Sequence, residues 1–178
     1  PTVKHAMLPD HVGYLRIIEF TPQTLARVKE SIDWFKTQGY TSMVVDLRNN
    51  PGGLLQSVIQ IADLFLDKGT IVSTKSRNLY ENAVYQAKPE ILVPKDMRVV
   101  VLINRGSASA SEILSGALKD QKRAYLVGEN TYGKGSVQGI FPLGYAGAGI
   151  RLTTALFYSP NGQKISKNGV TPNIPVES

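Results

Sequence analysis

Short apolar runs and helix-period segments alternate along the first three quarters of this chain, and that alternation restricts its fold more than any other feature. Gly13-Tyr14-Leu15-Arg16-Ile17-Ile18 reads as a strand. Leu25, Val28, Ile32 and Phe35 then recur on one helix face, opened by Thr21-Pro22 as N-cap and first helical residue and stopped at Gly39. Met43-Val44-Val45 is a second apolar run, ending at Asp46-Leu47-Arg48. The turn Asn49-Asn50-Pro51-Gly52-Gly53 feeds a second helix, with Leu55, Val58, Ile59, Ala62 and Phe65 on one side. Residues 70–75 read as a strand and 79–86 as its hairpin partner. A buried strand over 97–103, a helix over 110–121 and a strand over 124–127 repeat the pattern. The remainder is β-rich, with strands expected over 136–143 and 150–158 and a turn at Ser159-Pro160-Asn161-Gly162. The expected fold class is α/β, with a core of parallel strands.

The 178 residues suffice for one domain with a sizeable core. There is no cysteine, which excludes disulfides, thiolate zinc sites and a cysteine nucleophile. Both histidines, His5 and His11, lie near the N-terminus, so a histidine-based site would have to recruit that segment. The net charge of +6 comes from scattered Lys and Arg without runs or interleaved aromatics, so no nucleic-acid partner is expected. No apolar stretch approaches the ~20 residues of a membrane span, and no signal peptide is visible. The chain opens on Pro1 rather than Met, so it is expected to be a fragment. Neither a metal nor a cofactor is expected, and self-association is left open.

Two loops carry the chemistry. Asn104-Arg105-Gly106-Ser107-Ala108-Ser109-Ala110-Ser111-Glu112 follows the apolar run Val99–Ile103, and Thr131-Tyr132-Gly133-Lys134-Gly135-Ser136 follows Ala124–Val127. A serine hydroxyl becomes a nucleophile only when a base takes its proton. Without a suitable histidine, a neutral lysine can serve, because burial disfavours the ammonium. Lys134, flanked by Gly133 and Gly135 beyond a buried strand, fits that role; a surface lysine in a glycine-rich turn is the plain alternative. Among the three serines, Ser109 fits the strand-to-helix junction best on spacing. There the helix-start N–H groups can stabilise an oxyanion. The same spacing makes Ser109-Ala110-Ser111-Glu112 a capping box, so nucleophile and helix cap both stand as readings. Gly52 and Gly53 can turn a further N–H into a cleft, or form an ordinary turn.

Gly128-Glu129-Asn130-Thr131-Tyr132-Gly133-Lys134 also matches G-x-x-x-x-G-K, and the run ending at Asp46 resembles a Walker-B strand. A phosphate-binding loop needs Ser or Thr after the lysine and then a helix. Here Gly135 follows, then the β-branched, proline-stopped stretch Ser136–Pro142, so nucleotide binding is rejected. An extended segment instead puts Gln138 on the same side as Lys134, able to orient its amine.

Four blocks, in order over nearly the whole chain, resemble the carboxy-terminal processing (tail-specific) proteases. They are Gly13–Ile17, Asp46–Gly53, Gly106–Glu112 and Thr131–Gln138. The resemblance implies a Clp-protease/crotonase-like core of ββα units with additional strands, and a single serine-protease core domain over 1–178. It implies a serine endopeptidase that cleaves proteins near their C-termini, acting on proteins or peptides with accessible tails. Ser109 would be the nucleophile, Lys134 the general base and Gln138 its orienting partner. The backbone N–H groups of Gly52, Gly53 and Ala110 would form the oxyanion hole. An extracytoplasmic location, in the periplasm or cell envelope, is also implied. The PDZ domain usual in the family is not visible here, so a catalytically idle binding or scaffold module on the same fold is the alternative. Asp120 matches a functionally implicated aspartate of some members. Eleven helical residues at ~1.5 Å each put it roughly 16 Å from Ser109, which favours a structural role at the helix end. Asn173 stands where the family usually has Asp.

Overall fold

The computed structural model describes residues 1–75, 82–133, 156–165 and 168–177. Its strands and helices run β1 Val3–Leu8, β2 Val12–Ile17, α1 Thr24–Thr37, β3 Ser42–Asp46, α2 Leu55–Asp63, β4 Thr70–Lys75 and β5 Ala83–Gln86. They continue with β6 Arg98–Ile103, α3 Ala110–Asp120, β7 Tyr125–Gly128, β8 Leu156–Tyr158 and β9 Ile174–Pro175. The strand expected over 136–143, residues 79–81 of the one expected over 79–86 and residues 150–155 of the one expected over 150–158 lie outside the described residues.

Three strand–helix–strand crossings build a sheet of order β1-β2-β3-β6-β7-β9. Every pairing in it is parallel except the β1–β2 hairpin. Strands β4, β5 and β8 form a smaller antiparallel sheet. Helix α3 touches β7 of the large sheet and β4 of the small one. It is covered on all sides, with every residue from Ala110 to Leu118 buried. Leu15, Ile17, Phe20, Phe35, Val45, Val101, Leu114 and Leu126 lie in the core that joins these layers.

The α/β expectation with parallel strands is met. Two strands were not anticipated, β1 and β9. The start of α1 also differs from the Thr21-Pro22 cap. The helix begins at Thr24, and Gln23 at its N-cap position makes no side-chain cap bond. The Thr24 hydroxyl instead donates to the Glu19 carbonyl at 2.8 Å, and Thr24 N–H donates to the Thr21 carbonyl at 3.1 Å. This extra turn uses Thr24, fully buried, to close off the chain before the helix. The expected stop holds: Gly39 has φ 69, and Tyr40 N–H bonds back to the Phe35 carbonyl.

Parallel pairing has one consequence for function. Register aligns Asp46 with Leu102 and Ile103 with Gly128, so β3, β6 and β7 finish side by side. The loops 47–54, 104–109 and 129–133 therefore issue from one edge. The carboxyl ends of parallel strands are where α/β sheets commonly hold their sites.

Candidate active site

The loop after β3 is fixed by a buried amide. Asn50 Nδ2 donates to the Ile17 carbonyl at 2.8 Å, and its Oδ1 accepts the Gly52 N–H at 2.8 Å. Its carbonyl accepts Ala108 N–H at 3.0 Å and the Ser111 hydroxyl at 2.9 Å, stitching this loop to the one after β6. Gly52 (φ 111) and Gly53 (φ 144) occupy backbone conformations that side chains resist. A Cβ on Gly52 would stand 2.7 Å from Ser109 Cβ and 3.0 Å from Ala110 N. One on Gly53 would meet the Phe20 carbonyl oxygen at 2.0 Å. The glycine pair thus lets the turn press directly against Ser109.

The three serines separate by what they touch. Ser107, fully buried, donates to the Leu47 carbonyl at 2.8 Å. Ser111, also fully buried, donates to Asn50 as above. Ser109 is partly exposed and sits at φ 55, ψ −114, a sparsely populated conformation that costs about 1–3 kcal/mol in a non-glycine residue. It holds the N-cap position of α3. Among the described residues the Ala110 and Gly53 N–H groups meet no acceptor, as expected of a helix start and an open turn. The Gly52 N–H is engaged by Asn50, so of the three expected oxyanion donors it is the one already committed.

Ser109 and Glu112 are placed as the expected capping box, and Glu112 extends it. Its Oε1 accepts Ser109 N–H at 2.9 Å. Its Oε2 accepts the Thr131 hydroxyl at 2.6 Å and Gly133 N–H at 2.8 Å. The carboxylate is fully buried and lies in the first turn of α3, where the helix dipole favours negative charge. The segment it holds is pinned from other directions too. Tyr132 N–H donates to the Ser107 carbonyl, Thr131 N–H to the Val170 carbonyl, and Val170 N–H to Thr131 Oγ1 at 2.7 Å. Residues 131–133 therefore run alongside the serine loop. Lys134 and Gln138, the expected base and its partner, lie outside the described residues.

Asp46 anchors the end of β3. It is fully buried and accepts Tyr14 Oη at 2.5 Å, Arg48 Nε at 3.0 Å and Arg48 Nη2 at 2.9 Å, with Arg16 Nη1 3.6 Å away. Burial opposes its ionisation, but hydrogen bonds from Arg48 and Tyr14 outweigh that and hold its carboxyl below the ordinary range. Burial, then the bond to Asp46, pushes the Tyr14 phenol up. The bond to Asp46 raises Arg48. With its oxygens committed to these cations, Asp46 does not behave as the metal-binding end of a Walker-B strand. Asp120, at the far end of α3, accepts Asn161 N–H at 3.0 Å and so holds the turn after β8.

Sequence reasoning named Ser109, Ala110, Gly52 and Gly53, and the structure brings these together. It missed Asn50 and Thr131, and it saw Glu112 only as half of a capping box. No spacing rule could have found the other half of the Glu112 contacts, which lie 19 and 21 residues away. Among the described residues no cluster of His, Asp and Glu could hold a metal, and no helix is long and apolar enough to cross a membrane.

Comparison with known proteins gives this arrangement its setting. The chain is 48% identical over 170 residues to a carboxy-terminal-processing protease of Bartonella bacilliformis, covering 93% of this chain and 39% of that one. It is 45% identical over 166 residues to a carboxyl-terminal-processing protease of Synechocystis, covering 93% of this chain and 38% of that one. The chain thus spans about two-fifths of the length of these relatives. Among solved structures, the photosystem II D1 C-terminal processing protease superposes with a TM-score of 0.82 at 30% identity, over 99% of this chain and 48% of that one. The mixed α/β core is consistent with the Clp-protease/crotonase-like fold. The family model described as peptidase family S41 matches residues 11–176, and the chain belongs to that family.

Proposed function

We propose that this chain is the catalytic core of a serine endopeptidase that cleaves proteins near their C-termini through a Ser109–Lys134 dyad. The observation that carries the reading is the geometry of Ser109. It is the partly exposed serine of the three, held in a strained conformation at the start of a buried helix and against the Gly52-Gly53 turn. Ser107 and Ser111 are consumed as donors to carbonyls, which favours Ser109 over them as the nucleophile. A pure helix cap has no need of φ 55; a nucleophile displayed at a sharp turn does.

Neutral Lys134 takes the Ser109 proton as Oγ attacks the scissile carbonyl carbon. The resulting oxyanion is held by backbone N–H groups, with Ala110 and Gly53 as the donors and Gly52 shaping the approach. Collapse expels the amine, which receives the proton from Lys134. Water then attacks the acyl-enzyme with the same lysine as base. Gln138 orients the lysine amine. Proteins or peptides with accessible C-terminal tails are the proposed substrates, in an extracytoplasmic compartment. The names of the relatives support processing of C-termini by a protease.

The test compares Ser109→Ala and Lys134→Ala with the unaltered chain, on a tailed protein substrate and with a fluorophosphonate serine probe. Both variants should remain folded, lose cleavage and lose labelling. Full cleavage by either one sinks the dyad. A folded, unaltered chain that neither cleaves nor labels would favour the idle-module reading.

A further inference from the structure

We propose that Glu112 is a positioning residue that fastens the Ser109 elbow to residues 131–133, the segment that precedes the proposed base Lys134 in the chain. The inference rests on the Ser109–Lys134 reading and goes beyond it. One carboxylate oxygen holds the backbone N–H of Ser109 itself. The other holds a hydroxyl and a backbone N–H from residues 131 and 133, immediately before Lys134. The groups at both ends are donors. Thr131 Oγ1 already accepts Val170 N–H, so its own proton points to Glu112. A carboxylate is acceptor-only at both oxygens and suits all three; an amide cannot. In Glu112→Gln the amide NH2 must face either Ser109 N–H or the Thr131–Gly133 pair, so one side of the clamp is lost whichever way it turns.

Complete burial makes the clamp demanding. If the 131–133 segment withdrew from α3, it would strip donors from a buried charge, which is strongly opposed. The strained Ser109 backbone needs such external support, since nothing in its own preferences maintains φ 55. Glu112 supplies that support from the residue that also holds the lysine side.

The experiment uses the full chain with Glu112→Gln, Thr131→Val and Thr131→Ser. Misplacing reacting groups by about 1 Å costs on the order of 100-fold in rate, so Glu112→Gln should lower kcat by about that factor with KM nearly unchanged. Thr131→Val removes the bond to Glu112 together with the acceptor of Val170 N–H, and should lower kcat about 10-fold, as a partial loss of the same positioning. Thr131→Ser keeps the hydroxyl and should restore kcat. Amide hydrogen exchange at Ser109 and Gly133, which requires no turnover, should accelerate at one or both in Glu112→Gln and at Gly133 in Thr131→Val. A folded Glu112→Gln variant with unaltered kcat, or with both amides as protected as before, overturns the inference. If Lys134→Ala is inactive while Glu112→Gln is not impaired, this inference alone fails. If Lys134→Ala is fully active, the dyad has failed first.

Discussion

Asp46 and Glu112 are two fully buried carboxylates at the same edge of one sheet, satisfied in different ways. Asp46 draws on β2 and its own loop, through Tyr14, Arg16 and Arg48. Its arginine partners are themselves a third or more exposed, so the cluster is a charged plug between core and solvent. Glu112 accepts backbone N–H groups and a hydroxyl from two loops that converge only in the folded chain. The first arrangement stabilises the end of a strand. The second fixes the relative position of two segments. Buried charge at this edge thus does separate jobs, and substitutions should separate them.

The largest effect is expected at the loop facing Glu112's serine. Gly52→Ala would put a methyl group 2.7 Å from Ser109 Cβ in a conformation with φ 111. Activity should fall by about 100-fold or more, because the proposed nucleophile Ser109 and the neighbouring Ala110 N–H must shift. Circular dichroism should still report a folded protein. A folded Gly52→Ala with full activity would show that the turn does not touch the chemistry. Asp46→Asn should do the reverse. Losing charge-assisted hydrogen bonds should cost about 2 kcal/mol by urea unfolding, with kcat of the folded fraction little changed. A folded Asp46→Asn that loses kcat would collapse the distinction between the two carboxylates.

The same contrast extends to pH. The Asp46 carboxyl lies below its unfolded value of about 3.9, so the unfolded chain binds its proton first on acidification. Its stabilising contribution is therefore complete above that unfolded value and is lost as pH falls toward the folded one. Unfolding midpoints measured from pH 6 down to pH 3 should decline less steeply in Asp46→Asn than in the unaltered chain. Parallel slopes would remove Asp46 from the acid response.

How much could be read in advance follows the range of each interaction. The strands β3, β6 and β7 announce themselves as apolar runs, and β4 as a β-branched stretch, because both faces or one face must be buried. β1 is mostly exposed and joins β2 through Asp10 and His11, both at positive φ without the usual Gly or Asn, so neither strand nor hairpin is signalled. β9 has two residues and exists through its pairing with β7. At the site, the junction spacing pointed to Ser109. The roles of Ser107 and Ser111 depend on carbonyls 60 and 61 residues away, which no local pattern contains.

Those two serines supply a smaller prediction. Ser107→Ala and Ser111→Ala should each cost about 1 kcal/mol, the usual net worth of one hydrogen bond, and should leave the catalytic step intact. Both carbonyls keep a backbone donor when the hydroxyl is removed, but Ser107 Oγ also accepts Asn104 N–H at 3.1 Å, so the Ser111 variant should be the milder. Loss of serine-probe labelling in a folded Ser107→Ala would return the nucleophile question to all three positions.

The smallest effect is expected at Asn173, which lies at the other end of β7 from the site. Its Oδ1 accepts Leu126 N–H at 2.7 Å, while its own N–H donates to the Leu126 carbonyl at 2.8 Å. The side chain thereby extends the β7–β9 ladder by one rung. An aspartate offers the same acceptor at the same reach, so Asn173→Asp should change stability by less than about 0.5 kcal/mol and leave activity unaltered. Asn173→Ala removes the acceptor and orphans Leu126 N–H, which should cost about 1 kcal/mol. If Asp and Ala prove equally harmful, the amide group matters for more than its oxygen. If both are neutral, β9 is held by its backbone alone, and the short final strand contributes to the fold without this rung.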